Sequence, residues 1–281
     1  MDRLSSHRAT KEVVNKHNFK FSKSLGQNFL IDDNVIDRIL EGARLSETDR
    51  IIEVGPGIGT LTREMGKVAE NVVAIEIDKT LIPILKETLA DLDNVEVVNE
   101  DILKVDVQGL INEKLNGGPV KLVANLPYYI TTPIVMKFLE EDIPVTDIVV
   151  MVQKEVAQRL VADENSKDNS SISLFVKYYA DANIAFSVSR NVFVPAPNVD
   201  SAVVNMKLKK EKFEYEKTMF KLIKNGFGNR RKTILNSFCK SGIEKEKIIK
   251  VLEKLDIDTR IRAEKLSLKD FKNIAREYEN L

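Results

Sequence analysis

Asn125-Leu126-Pro127-Tyr128 joins an amide, a rigid ring and an aromatic at the end of a short apolar run, Val120 to Ala124, that reads as a strand. The Asn125 side-chain oxygen and the Leu126 backbone carbonyl can together accept both hydrogens of an exocyclic amine. Pro127 fixes φ and keeps that carbonyl pointing outward. The Tyr128 ring can stack on a flat, amino-bearing base. The same four residues also suit a plain strand-to-turn junction, with Pro as punctuation and Tyr as packing. What surrounds them has to decide.

Upstream, Arg50 to Val54 is a strand-like run leading into Glu53-Val54-Gly55-Pro56-Gly57-Ile58-Gly59, and a helical pattern starts near Thr60. Strand, glycine turn and helix open a nucleotide-binding βαβ unit, because glycine lets the backbone approach a ligand where a Cβ would collide. The spacing is G-x-G-x-G rather than the G-x-G-x-x-G of a dinucleotide site, and a simple tight turn would look much the same. A second strand, Val72 to Ile77, carries Glu76 near its end, about 20 residues past the glycines, where an acid can hold both hydroxyls of a ribose. Asp78 competes for that role. A third strand, Val95 to Val98, is followed by Asp101, which can accept from an adenine amino group. Ile77 and Ile102 can sandwich the ring. Four successive strands thus each place a glycine or polar element at the C-terminal edge of one sheet, where ligands of open α/β sheets bind.

This set, Glu53-x-Gly55-x-Gly57-x-Gly59 with Glu76, Asp101 and Asn125-Leu126-Pro127-Tyr128, resembles the class I S-adenosylmethionine methyltransferases that modify exocyclic amines of nucleic-acid bases. Lys23-Ser24-Leu25-Gly26-Gln27-Asn28-Phe29-Leu30 looks like the opening of the ribosomal RNA adenine dimethyltransferases. Phe193-Val194-Pro195-Ala196-Pro197-Asn198-Val199-Asp200-Ser201-Ala202 and Asn229-Arg230-Arg231-Lys232-Thr233 are similar to the bacterial small-subunit branch of that family. The likeness runs from about residue 20 to the end.

The resemblance implies S-adenosylmethionine as cofactor and dimethylation of two adjacent adenines near the 3′ end of small-subunit ribosomal RNA, in an immature 30S subunit. It places Gln27, Asn28 and Leu30 over the methionine end and Gly55 and Gly57 beside the carboxylate and ribose. Glu76 falls on the ribose hydroxyls, Asp101 on the adenine amine, and Ile77 and Ile102 on its faces. Asn125, Leu126 and Tyr128 become the base-handling group, with Asn125 near the cofactor too, and Phe193 the candidate for the second face of the base. On residue type alone, Asn28 suits a cap for the helix near Asp32 equally well. Arg230, Arg231 and Lys232 suit phosphate contact, or ordinary surface charge.

Only two histidines, His7 and His17, and one cysteine, Cys239, occur in 281 residues. One cysteine excludes an internal disulfide and a cysteine zinc site, histidines confined to the polar leader argue against a catalytic triad or a histidine metal site, and no metal is expected. No apolar run approaches the roughly 18 residues of a membrane span, and the charged N-terminus lacks a secretory core. A cytoplasmic protein is expected, and nothing demands a dimer. The zero net charge hides an asymmetry: residues 211–281 hold 18 Lys/Arg against 12 Asp/Glu, residues 1–24 hold 6 against 2, and residues 25–210 hold 19 against 29. Basic ends around an acidic body suit a polyanion gripped at the periphery, although Lys-rich helices are also ordinary solvated faces.

Further strands are expected over Asp147 to Val152, Phe175 to Val188 with a break near Asp181, and Ser201 to Lys209. Helices are expected over Val35 to Ala43, Leu61 to Met65, Thr80 to Leu89, Pro133 to Glu140 and Glu155 to Val161. Alternating strands and helices give an α/β, Rossmann-like parallel sheet covered on both faces. The short final connection requires antiparallel pairing, and the family implies seven strands with the last reversed. Beyond Lys210, four amphipathic stretches (Lys217 to Phe227, Arg231 to Lys240, Lys245 to Leu255, Ser267 to Tyr278) make a small all-α domain. The expected division is a catalytic domain over 1–210 and a helical recognition domain over 211–281.

Overall fold

In the computed structural model, residues 3–22, 25–164, 166–210, 212–229, 231–240 and 242–281 are described. The strands are β1 (Phe29–Leu30), β2 (Arg50–Val54), β3 (Asn71–Ile75), β4 (Val95–Val98), β5 (Val120–Asn125), β6 (Val145–Gln153), β7 (Ala180–Val188), β8 (Phe193–Val194) and β9 (Ser201–Leu208). Seven of them make one sheet in the order β4-β3-β2-β5-β6-β9-β7. The pairs β2–β3, β3–β4, β2–β5 and β5–β6 are parallel. β9 reverses direction and pairs antiparallel with β6 along its length, Gln153 opposite Ser201 and Asp147 opposite Lys207. β1 and β8 form a separate antiparallel pair.

Since β2 to β5 run parallel, their C-terminal tips lie along one edge of the sheet. The edge is held from beneath by a core of Ile36, Ile39, Ile51, Met65, Val123, Val149 and Val203, drawn from helices and strands. A second cluster seats Phe29 against Ile58, Ile84 and Leu85, with Phe19 and Phe21 packed on it.

Backbone contacts divide the chain into two units, Met1–Ala157 with Ala182–Leu208, and Gln158–Asp181 with Lys209–Leu281. The second unit therefore takes in a segment, 158–181, that lies within the first 210 residues. Part of that segment also differs from expectation: residues 175–179 belong to a helix, Ser171–Tyr179, and only then does β7 begin. Ser170 and Ser173 form a capping box at its start, and Leu174 and Tyr178, four residues apart, are both buried. Its aromatic and β-branched content reads as strand only while that periodicity is ignored.

The second unit continues with helices Glu216–Phe227, Ile234–Lys240, Lys245–Lys254 and Leu268–Glu279. They bury Leu222, Phe238, Val251, Phe271 and Ile274. Gly226 lets two segments approach: a Cβ there would sit 3.1 Å from the Ile234 side chain and 3.2 Å from Ala263 Cβ.

Candidate active site

The turn after β2 exists because three glycines take backbone angles that other residues resist: Gly55, Gly57 and Gly59 have φ of 73°, 62° and 86°. Space demands glycine too. A Cβ on Gly55 would lie 3.3 Å from Pro127, and one on Gly57 would lie 3.0 Å from the Phe29 ring. The glycine turn is thereby packed against both the residues after β5 and the N-terminal segment. Together they line one cleft.

Two carboxyls stand in its wall. Glu53, in β2, is 1% exposed, and its Oε2 has no hydrogen-bond partner. Burial pushes its pKa up to about 8, and the neighbouring Glu76 carboxyl pushes the same way. Glu76 follows β3, is also buried, and accepts a 2.8 Å bond from the Asp78 N–H. Burial raises its pKa to about 7. Asp78 does not line the cleft: its carboxylate accepts from Thr80 and, at 2.6 Å, from Gln27 Nε2. Of these two acids, then, only Glu76 reaches the cleft. Asp101, after β4, lines the cleft with buried Ile102 and with Ile77, which is 44% exposed.

The N-terminal segment closes another side. Gln27 is a tie, accepting from Ser22 N–H while donating to Asp78. Asn28 donates to the Gly26 carbonyl at 2.8 Å and does not cap the next helix, since Asp32 accepts from Val35 N–H there. Leu30, in β1, is buried on the cleft wall. The Asn28 carbonyl accepts a long 3.4 Å bond from Asn125 Nδ2. That contact turns the Asn125 amide so that Oδ1 remains as the acceptor.

Leu126 N–H is bonded to Met151 O at 3.1 Å, which fixes its peptide plane against β6. Pro127 has φ −58° and ψ 125°, and a 3-10 turn, Tyr128–Ile130, follows. The Tyr128 hydroxyl meets Ser201 Oγ at 2.6 Å, so the ring is pinned at the start of β9.

Phe193 is the residue that the structure does not bring to the cleft. It lies in β8 opposite Leu30, is 2% exposed and packs in the core. Its apolar β-bridge neighbours draw it inward, and it offers no face to a base. Sequence reasoning passed over Tyr129, which lines the cleft at 49% exposure, and gave Glu53 no role. The doubled Tyr128-Tyr129 was the available signal for the first; for the second it was an acid inside an apolar strand. Of the basic cluster, Arg230 lies outside the described residues. Arg231 and Lys232 are exposed in a turn ahead of helix Ile234–Lys240 rather than within it.

Among the described residues no helix is long and apolar enough to cross a membrane. Among them, too, no group of three His, Cys, Asp or Glu side chains is placed to hold a metal.

The sequence model described as ribosomal RNA adenine dimethylase matches residues 18–280. A protein of Clostridioides difficile (strain 630), ribosomal RNA small subunit methyltransferase A, is 64% identical over 275 residues, covering 96% of this chain and 95% of its own. A protein of the same name from Alkaliphilus oremlandii (strain OhILAs) is 51% identical, covering 96% of each chain. A dimethyladenosine transferase from Plasmodium falciparum superimposes with a TM-score of 0.76 at 25% identity, over 90% of this chain and 98% of that one. The 23S rRNA methyltransferase ErmE shares the fold, with a TM-score of 0.67 at 24% identity over 90% and 100% of the two chains.

Proposed function

This chain belongs to the ribosomal RNA adenine dimethylase family, and from that premise we propose a substrate, a cofactor and a set of residue roles. The protein transfers methyl groups from S-adenosylmethionine to N6 of two adjacent adenines in the 3′-terminal hairpin loop of small-subunit (16S) ribosomal RNA. It does so in the cytoplasm on an immature 30S subunit, during ribosome biogenesis. Full-length likeness to relatives named as small-subunit methyltransferases supports this choice of subunit.

The cleft fits the cofactor in three respects. Gly55 and Gly57 bring bare backbone to its wall, where a Cβ would strike Pro127 or Phe29. Glu53 has a buried, unpartnered oxygen, and Glu76 a buried carboxyl beside it; such a pair suits a ligand with positive charge. Glu76 would hold the ribose hydroxyls and Asp101 the adenine amine, while Ile77 and Ile102 flank the ring. Gln27, Asn28 and Leu30 would bound the methionine end. When bound, the cofactor supplies an electrophilic methyl on a sulfonium.

The single observation that carries the chemistry is the Asn125 amide. With Nδ2 held by the Asn28 carbonyl, Oδ1 is the atom left to accept. Adenine N6 is a poor nucleophile because its lone pair is delocalised into the ring. Accepting one N6 hydrogen on Asn125 Oδ1 and the other on the Leu126 carbonyl favours a pyramidal nitrogen with its lone pair freed. Pro127 holds that carbonyl in place, and Tyr128, pinned through Ser201, stacks on the base. Orientation and electrostatics then carry the rate. No histidine is among the described residues that line the cleft, and none is required if the proton leaves after transfer. The target adenine must be unstacked to reach the methyl.

Asn125→Ala should lower turnover roughly 100-fold or more, by loss of one oriented acceptor, while cofactor affinity changes only a few-fold. Turnover on under-methylated small subunits and cofactor binding, measured side by side, check this. Near-normal turnover would remove Asn125 from the mechanism.

A further inference from the structure

Tyr128 and Tyr129 are adjacent in one 3-10 turn but face different chemistry. Tyr128 is partly buried and its hydroxyl is tied to Ser201. Tyr129 is 49% exposed, one of the largest apolar surfaces left open among the described residues. Its Cδ1 lies 3.7 Å from the position a Cβ would take on Gly26, a residue held at φ 59°. Gly26 belongs to the N-terminal segment that ties Gln27 to Asp78. The phenol is also within the electrostatic reach of Asp101 and Glu76, which, after partial burial, hold its proton on. The ring thus lies beside Gly26 and lines the same cleft as Asp101 and Glu76. Ile77, 44% exposed, lines the same cleft.

We propose that Tyr129 is the cover of the cofactor's nucleoside, its ring closing over the ligand from the side opposite the sheet edge. This rests on the reading of the cleft as an S-adenosylmethionine site. An aromatic ring half open to water in a cleft lined by apolar side chains gains most when a flat, partly apolar ligand slides beneath it. Ile102 forms the floor, Ile77 flanks the adenine, and Tyr129 supplies the third wall. Gly26 presents no side chain to the ring, whose Cδ1 would lie 3.7 Å from a Cβ there. Two neighbouring tyrosines would then divide the two substrates, Tyr128 serving the acceptor base and Tyr129 the donor nucleoside.

The test uses S-adenosylhomocysteine, whose binding can be read without turnover. The chain contains no Trp, so Tyr129→Trp creates a single indole at the proposed contact. Its emission should change on titration with S-adenosylhomocysteine and saturate. Tyr129→Ala should weaken S-adenosylhomocysteine binding by calorimetry roughly tenfold, the scale of one aromatic stack. The KM for S-adenosylmethionine should rise in parallel while kcat at saturation stays within about threefold. Tyr129→Phe should bind as wild type. Thermal unfolding of Tyr129→Ala should match wild type, because the residue is half exposed. Wild type that binds while Tyr129→Ala binds within twofold of it overturns the inference and leaves the cofactor reading intact. So does a rise in the KM for RNA alone, which would give the ring to the nucleic acid. Wild type that binds no S-adenosylhomocysteine overturns both.

Discussion

The Glu53 carboxyl holds its proton far more tightly in the folded chain than in the unfolded one. In the fold its pKa is about 8, against an ordinary 4.5. A carboxyl protonated when folded and ionised when unfolded favours folding fully below its unfolded pKa. That contribution is lost as pH rises through the folded value. Glu53→Gln, which keeps the shape without the charge, should therefore be more stable than wild type at pH 8.5, by on the order of a few kcal/mol, and gain much less at pH 5. Melting temperatures at the two pH values read this, and equal curves at both would mean that the buried carboxyl is solvated or paired. At this scale the sequence was largely readable. Glu76, Asp101, Asn125 and the glycines sit where strand tips and spacing put them, because a residue at the end of a strand has its direction set by the pleat. Phe193 was not readable, since burial depends on β8 meeting β1, a long-range pairing that no local pattern encodes. Gln27 lines the cleft, yet its amide is engaged by Ser22 and Asp78, partners 5 and 51 residues away.

At the scale of elements, the glycine turn is the piece on which the site's shape depends. Gly57→Ala would force an L side chain to φ 62° and press its Cβ to 3.0 Å from Phe29. The backbone strain alone costs about 1–2 kcal/mol, and displacing Phe29 disturbs the wall that carries Asn28. Cofactor binding should fall more than tenfold and the melting temperature should drop. Isothermal titration and thermal unfolding read the two separately, and an unchanged affinity would mean that the turn is not the cradle. Strands β2 and β4 were readable to the residue, because each is a short β-branched run ended by turn residues. Helix Ser171–Tyr179 was not, since aromatic and β-branched residues favour strand locally and only burial of Leu174 and Tyr178 on one face rewards the helix. The capping pair Ser170–Ser173 was the overlooked local signal. In contrast, the amphipathic period over Ser267 to Tyr278 marked the last helix from sequence alone, and a capping box at Ser267 and Asp270 starts it.

The whole molecule presents a basic helical stretch after residue 210 and an acidic body before it. If the helical region reads RNA through its phosphates, Arg231 and Lys232, both exposed, should supply affinity rather than sequence choice. Replacing both with Ala should weaken binding to small subunits uniformly. The slope of log affinity against log salt should become shallower by about 1.4, at roughly 0.7 for each phosphate no longer neutralised, with S-adenosylhomocysteine affinity unchanged. An unaltered salt slope would return the pair to ordinary surface charge. The charge asymmetry was plain in the sequence; the membership of residues 158–181 in the second unit was not, because it is decided by tertiary packing rather than by chain order. The central claim is the reaction itself. Incubating the protein with labelled S-adenosylmethionine and under-methylated small subunits, then digesting the RNA, identifies the nucleoside made. Labelled N6,N6-dimethyladenosine from the 3′-terminal hairpin loop is the result the account predicts. Label confined to large-subunit RNA, or to any nucleoside other than a methylated adenosine, would contradict it.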